Sequence, residues 1–78
     1  MTAQIKLSGL LKSYADGQPV ILVQVTEGSL KSVHDYLISL KIPSEMIAMV
    51  MVNGVLQEKD YAIRDQDIVQ LIPLIGGG

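Results

Sequence analysis

Polar and apolar residues alternate where the chain begins, with Gln4, Lys6 and Ser8 on one side and Ile5 and Leu7 on the other. A period of two marks a half-buried strand, because successive side chains point to opposite faces. Residues 12–19 then gather Ser13, Asp16, Gly17 and Pro19, all turn formers, and residues 20–25 resume a β-branched run. The two runs predict a hairpin with a longer loop. In the second run Ile21, Val23 and Val25 share one face, while Val20, Leu22 and Gln24 share the other. That second face is too apolar for plain solvent exposure.

The period changes in the middle of the chain. Leu30, Val33, Leu37 and Leu40 follow one another in steps of three, four and three residues, which draws one apolar stripe along a helix. Ser29 is the expected N-cap, Lys41 suits the dipole of the last turn, and Pro43 closes the helix. Beyond it, Ala48-Met49-Val50-Met51-Val52 reads as a buried strand. Met46, Met49 and Met51 are a candidate adaptable partner surface, but Met49 and Met51 are expected on the packed side of the strand, which leaves Met46 the more open question. Asn53-Gly54 is a strong hairpin signal, since both positions of such a turn tolerate positive φ. Val55-Leu56 is the short return strand, residues 58–64 are polar with room for one helical turn, and Asp65-Gln66-Asp67 turns the chain into a final apolar run from Ile68 to Ile75.

Strand, strand, helix, strand, short strand, strand is the order of an α+β fold of the β-grasp type. Such a fold is a mixed sheet of four to five strands packed on one main helix, with the first and last strands as a central parallel pair. A single apolar stripe on the helix needs a single apolar partner surface. The expected organisation is one β-grasp domain over residues 1–75 and a flexible glycine tail over residues 76–78.

With 78 residues, the chain is near the lower limit at which one apolar core holds a fold without staples. It has no cysteine, and so can supply no disulfide, thiolate metal site or thiol nucleophile. The net charge is −2 and the basic residues are scattered, so nucleic acid is a poor partner. Neither a signal-like segment nor a run of membrane-spanning length is present, and the cytoplasm is the expected location. The apolar residues are Ile, Leu, Val and Met, with no Phe or Trp. A small domain this aliphatic is expected to leave an apolar patch uncovered for a partner.

Gly76, Gly77 and Gly78 stand directly behind the last apolar run. A stretch without Cβ atoms can thread a slot too narrow for side chains, and the α-carboxylate of Gly78 is the reactive group at its tip. A frayed terminus or a cloning remnant gives the same residues.

Several stretches resemble the ubiquitin-like sulfur carriers, in particular the small subunit of molybdopterin synthase and its thiamine-pathway relative. Residues 7–11, Leu-Ser-Gly-Leu-Leu, look like that family's opening strand. Gly28-Ser29-Leu30 with Leu37 looks like the start of its helix, and Val52-Asn53-Gly54 matches its Val-Asn-Gly turn. Asp65-Gln66-Asp67-Ile68-Val69 resembles its Asp-Gly-Asp-x-Val turn and strand. Ile72-Pro73-Leu74-Ile75-Gly76-Gly77-Gly78 aligns with its Phe-Pro-Pro-Val-Ala-Gly-Gly tail. Three departures stand out: Ser8 in place of a frequent phenylalanine, Gln66 in place of the usual glycine, and Leu74 in place of the second proline.

The resemblance implies a carrier rather than an enzyme. An adenylating enzyme of the ubiquitin-activating type, using ATP, would activate Gly78, and a sulfur donor would displace AMP to leave a thiocarboxylate. A large synthase subunit or another sulfur-accepting enzyme would take the sulfur. No cofactor is expected on the chain itself. Gly76 and Gly77 would supply clearance and reach; Leu74 and Ile75 would anchor the root of the tail; Val20, Leu22 and Ile72 are the candidate docking face. The first hairpin and Pro73 favour molybdopterin synthesis over the thiazole of thiamine. A protein modifier attached to lysines through its terminal glycine, and a plain β-grasp interaction module, are the readings from other classes. His34, the only histidine, is expected on the polar side of the helix, and Asp60, Asp65 and Asp67 lack the spacing of a calcium loop and are expected in turns and caps.

Overall fold

A computed structural model describes residues 1–74 of the chain. Its five strands are β1 (Thr2–Lys6), β2 (Val20–Gln24), β3 (Ile47–Val52), β4 (Val55–Gln57) and β5 (Ile68–Pro73), and its one α-helix is α1 (Val33–Leu40). They form a single sheet in the order β2-β1-β5-β3-β4. β1 and β5 run parallel at its centre, with Gln4 opposite Ile68 and Lys6 opposite Gln70. All other neighbours are antiparallel. This is the expected β-grasp.

Alternation along the strands decides the core. Ala3 and Ile5 of β1, Val69 and Leu71 of β5, and Val50 and Val52 of β3 point inward. There they meet Val33 and Leu37 of α1, with Leu11, Ile42 and Ile63 closing the sides. Tyr36 extends this packing to β2, where its hydroxyl donates to the carbonyl of Gln24 at 3.0 Å.

The helix begins later than the apolar stripe suggests. Its N-cap is Ser32, not Ser29: the Ser32 hydroxyl accepts from the Asp35 N–H at 3.1 Å, and the Asp35 carboxylate accepts from the Ser32 N–H at 3.0 Å. This reciprocal pair satisfies two otherwise free donors, whereas a start at Ser29 would bury that pairing inside a helix. Leu30 consequently lies before α1 and is exposed. At the other end Lys41 takes a left-handed conformation, φ 62°. The N–H of Ile42 then donates back to the Leu37 carbonyl at 2.9 Å, and buried Ile42 seals the terminus as a C-terminal cap requires.

Three other expectations need correction. Residues 7–11 are not strand: the chain leaves β1 after Lys6 and winds into a 3-10 helix, Gly9–Ala15, because Leu11 must turn inward to become fully buried. Met49 and Met51 lie on the face opposite buried Val50 and Val52 rather than on the packed side. A register shift between Ile47 and Met49 gives the inward positions to Ile47, Val50 and Val52, and Met46 is the methionine that packs against the core. Residues 58–64 form no helix; they pass through a turn, and Ala62 bridges to Ser32 beside the start of α1.

The Asn53-Gly54 turn forms as expected, with φ of 52° and 83°. The expected division at residue 75 and the glycine tail lie outside the described residues. No helix among the described residues is long and apolar enough to cross a membrane.

Ser32→Ala is expected to lower unfolding free energy by about 1 kcal/mol, measured by urea denaturation. Lys41→Gly is expected to raise it by up to about 1 kcal/mol, since glycine enters the left-handed region without a Cβ penalty.

Candidate functional site

The parallel register of β1 and β5 decides what surrounds the end of β5. The pairing stops at Lys6 and Gln70, and the 3-10 helix that follows β1 lies beside the end of β5. From the other side β3 enters the sheet opposite the end of β5, with Ile47 facing Pro73. A short 3-10 turn, Ser44–Met46, precedes β3. The Leu74 N–H donates to the Met46 carbonyl at 2.7 Å, the last hydrogen bond among the described residues. Met46 is held in turn by the hydroxyl of Tyr14, which donates to its sulfur at 3.4 Å.

Ser8, Gly9, Leu10, Met46, Ile72, Pro73 and Leu74 thereby line a groove of about 480 Å³, none of them charged. Leu10 is 77 % exposed and Leu74 is 65 % exposed. Two expected docking residues, Ile72 and Leu74, thus come together, while Val20 and Leu22 do not join them. Leu22, 69 % exposed, stands over Gln4 toward Ile68. Val20 lies across Lys6 and Gln70 from the rest of the outer face. Both are open to solvent rather than packed under the preceding loop. Sequence periodicity missed Leu10, because a 3-10 turn leaves no period to read, whereas Met46, the methionine left open as a partner surface, does line the groove. The single available signal was the surplus leucine of the Leu10-Leu11 pair. Ile75, Gly76, Gly77 and Gly78 lie outside the described residues.

Away from the groove, Asp67 gathers the polar contacts of the turn that launches β5. Its carboxylate accepts from the Asn53 side-chain amide at 2.8 Å, the Tyr61 hydroxyl at 2.7 Å and the Arg64 N–H at 2.9 Å. Burial opposes its ionisation, but these donors outweigh that cost and hold its carboxyl below the ordinary value. Burial, followed by the hydrogen bond to Asp67, raises Tyr61. Asn53 also accepts from the Ile68 N–H at 2.9 Å, so the tight turn and β5 are clamped together. The clamp forces Gln66 into the left-handed region, φ 67°, despite its side chain. Asp65 accepts from the Thr2 N–H at 3.0 Å. Both aspartates therefore serve the turn, as expected. His34 is exposed on α1, also as expected. Among the described residues no three His, Cys, Asp or Glu stand close enough to hold a metal ion.

A sheet with a central parallel pair, one helix across one face and a last strand that ends beside an apolar rim defines a ubiquitin-like β-grasp protein. The ThiS family model matches residues 5–78. The chain belongs to that family of ubiquitin-like sulfur carriers. No curated protein sequence matches significantly. Among solved structures, SAMP1 from Haloferax volcanii superposes with a TM-score of 0.71 at 23 % identity, covering 100 % of each chain. A putative molybdopterin converting factor subunit 1 from Pyrococcus furiosus gives 0.66 at 18 % identity, covering 96 % of this chain and 99 % of the other. A complex of subunits 1 and 2 of molybdopterin-converting factor from Helicobacter pylori gives 0.59 at 14 % identity, covering 100 % of each chain. At these identities the likeness is one of fold.

Because Asp67 has a lowered pKa when folded, its contribution to stability is complete above the ordinary carboxylate range. That contribution is lost as pH falls through the folded value. Asp67→Asn is expected to destabilise the protein at neutral pH by about 1–3 kcal/mol. It is also expected to flatten the acid limb of a denaturation series run from pH 7 downward.

Proposed function

We propose that the chain is a sulfur carrier that works through the α-carboxylate of Gly78. A separate adenylating enzyme would join that carboxylate to the AMP portion of ATP and release pyrophosphate. A sulfur nucleophile would then displace AMP and leave a thiocarboxylate. A free carboxylate is a poor electrophile, whereas an acyl-adenylate carries a good leaving group; the thiocarboxylate sulfur is polarisable and nucleophilic enough to be handed on. The observation that carries this reading is the family match, which continues through the three glycines to Gly78.

The chemistry asks for no catalytic side chain on this chain and no cofactor bound to it, because ATP belongs to the adenylating partner. Among the described residues, Asp67 and Tyr61 have displaced pKa values; they bond to each other in a turn and support that turn rather than a reaction. The molybdopterin pathway is the preferred destination, with a large synthase subunit as acceptor. The Helicobacter pylori relative, which is solved as a complex of subunits 1 and 2, supports that choice. Thiazole synthesis for thiamine uses the same carrier chemistry and is the runner-up. Gly76 and Gly77 supply clearance, and Leu74, Ile75 and Ile72 brace the root of the tail against a partner. Val20 and Leu22, set apart from that root, are left for a separate contact.

The test is co-expression with the adenylating enzyme and sulfur donor of the same organism, followed by intact mass measurement. This also checks that Gly78 is the carboxyl end. Exchange of one oxygen for sulfur is expected on the wild-type chain and is expected to vanish on deletion of Gly78. A ladder of covalent adducts on lysines, with no sulfur-bearing free chain, would instead identify a protein modifier. Full pathway activity from a chain amidated at Gly78 would end the proposal.

A further inference from the structure

Asn53 stands before Gly54 at the tip of the β3–β4 hairpin, and both are exposed. An asparagine followed by glycine carries a reaction of its own. The backbone nitrogen of Gly54 can attack the Asn53 side-chain carbonyl carbon, because no Cβ on the glycine stands in the way. A nitrogen–carbon bond forms, the bond from that carbon to Nδ2 breaks, and ammonia leaves with the proton of the Gly54 N–H. Water then opens the resulting succinimide at either of its carbonyls, leaving aspartate or isoaspartate. Water enters and ammonia departs, with no oxidation, no reduction and no enzyme.

The fold opposes that geometry. Attack requires the side-chain amide of Asn53 to swing onto the Gly54 nitrogen, yet both ends of the amide are taken. Nδ2 donates to the Asp67 carboxylate at 2.8 Å, and Oδ1 accepts from the Ile68 N–H at 2.9 Å. The Asn53 N–H is bound as well, to the Ile68 carbonyl at 2.9 Å. Asp67 is itself buried and fixed by the Tyr61 hydroxyl and the Arg64 N–H. The turn therefore has to open before Asn53 can react, and only the open fraction converts.

We propose that Asn53 is a self-modification site, latched by Asp67, whose conversion loosens the start of β5. Conversion replaces the Nδ2 donor with an acceptor oxygen. Asp67 then meets a second carboxylate at hydrogen-bond distance, and like charges so close repel. Isoaspartate also adds a carbon to the main chain, inside a tight turn that joins the paired Val52 and Val55 and depends on a fixed backbone length. Either product breaks the link between the hairpin and β5, and neither returns to asparagine. The latch works whatever Gly78 carries.

Peptide mapping of the full chain after incubation at neutral pH tests this, with isoaspartate counted by enzymatic methylation. Folded wild type is expected to convert at Asn53 roughly tenfold or more slowly than the same chain unfolded in urea. Asp67→Asn loses the charge and one acceptor, and is expected to convert roughly tenfold faster than wild type while still folded. Ser32→Ala, which weakens the distant helix cap, is expected to leave the rate unchanged. Asn53→Asp installs one product directly and is expected to lower the melting temperature. A folded chain that converts as fast as the unfolded one would overturn the latch. So would an Asp67→Asn variant no faster than wild type, or equal acceleration by Ser32→Ala. An Asn53→Asp chain that melts with wild type would overturn the loosening of β5. The urea comparison and Asn53→Asp decide the matter should Asp67→Asn fail to fold.

Discussion

The parallel pairing of β1 with β5 is the constraint on which the rest of the molecule depends. It joins the two ends of the described chain at the centre of the sheet, where both strands bury one face under α1. Ile5, Val69 and Leu71 are all almost completely buried there, so a slip of one residue would carry each of them to the solvent face. Register is thereby fixed, and with it the point at which β5 leaves the sheet. Because the strands run in the same direction, β5 leaves beside the segment that follows β1.

Polar contacts support the same register from the opposite end. Asp67 ties together the turn before β5, the Asn53-Gly54 turn and the segment after Tyr61, and Asn53 bonds directly to Ile68. A buried carboxylate with three donors tolerates no rearrangement that would leave it unpaired. The left-handed geometry of Gln66 is a cost met by this network, which explains how a turn where glycine is usual survives with a side chain. The start of β5 is thus clamped by hydrogen bonds and its end is released beside apolar residues.

That asymmetry suits the proposed carrier role, in which the chain would act through its terminus. A carrier must hold its own domain rigid while giving up its end to partners, which argues for a strong anchor upstream and few polar commitments downstream. The final described link, from Leu74 to the carbonyl of Met46, marks the change from one regime to the other.

Much of this was legible without coordinates. Alternation in Gln4 to Ser8 and in Val20 to Val25 placed the first hairpin, Asn53-Gly54 placed the second, and the Val33, Leu37 and Leu40 spacing placed the helix. Each of these signals is local, since period and turn chemistry act between residues a few positions apart. The errors arose where a distant partner outweighed a local pattern. Leu30 fits the helical stripe, but Ser32 and Asp35 cap the helix behind it. Met49 fits a buried strand, but the register shift against β5 turns it outward. For the candidate site, the sequence supplied the glycine tail and the apolar residues Ile72 and Leu74. Tertiary structure alone decided that Leu10 and Met46 stand beside them, and that Val20 and Leu22 do not. Those neighbours come from three separate parts of the chain, and pairing between strands far apart in sequence is what brings them together.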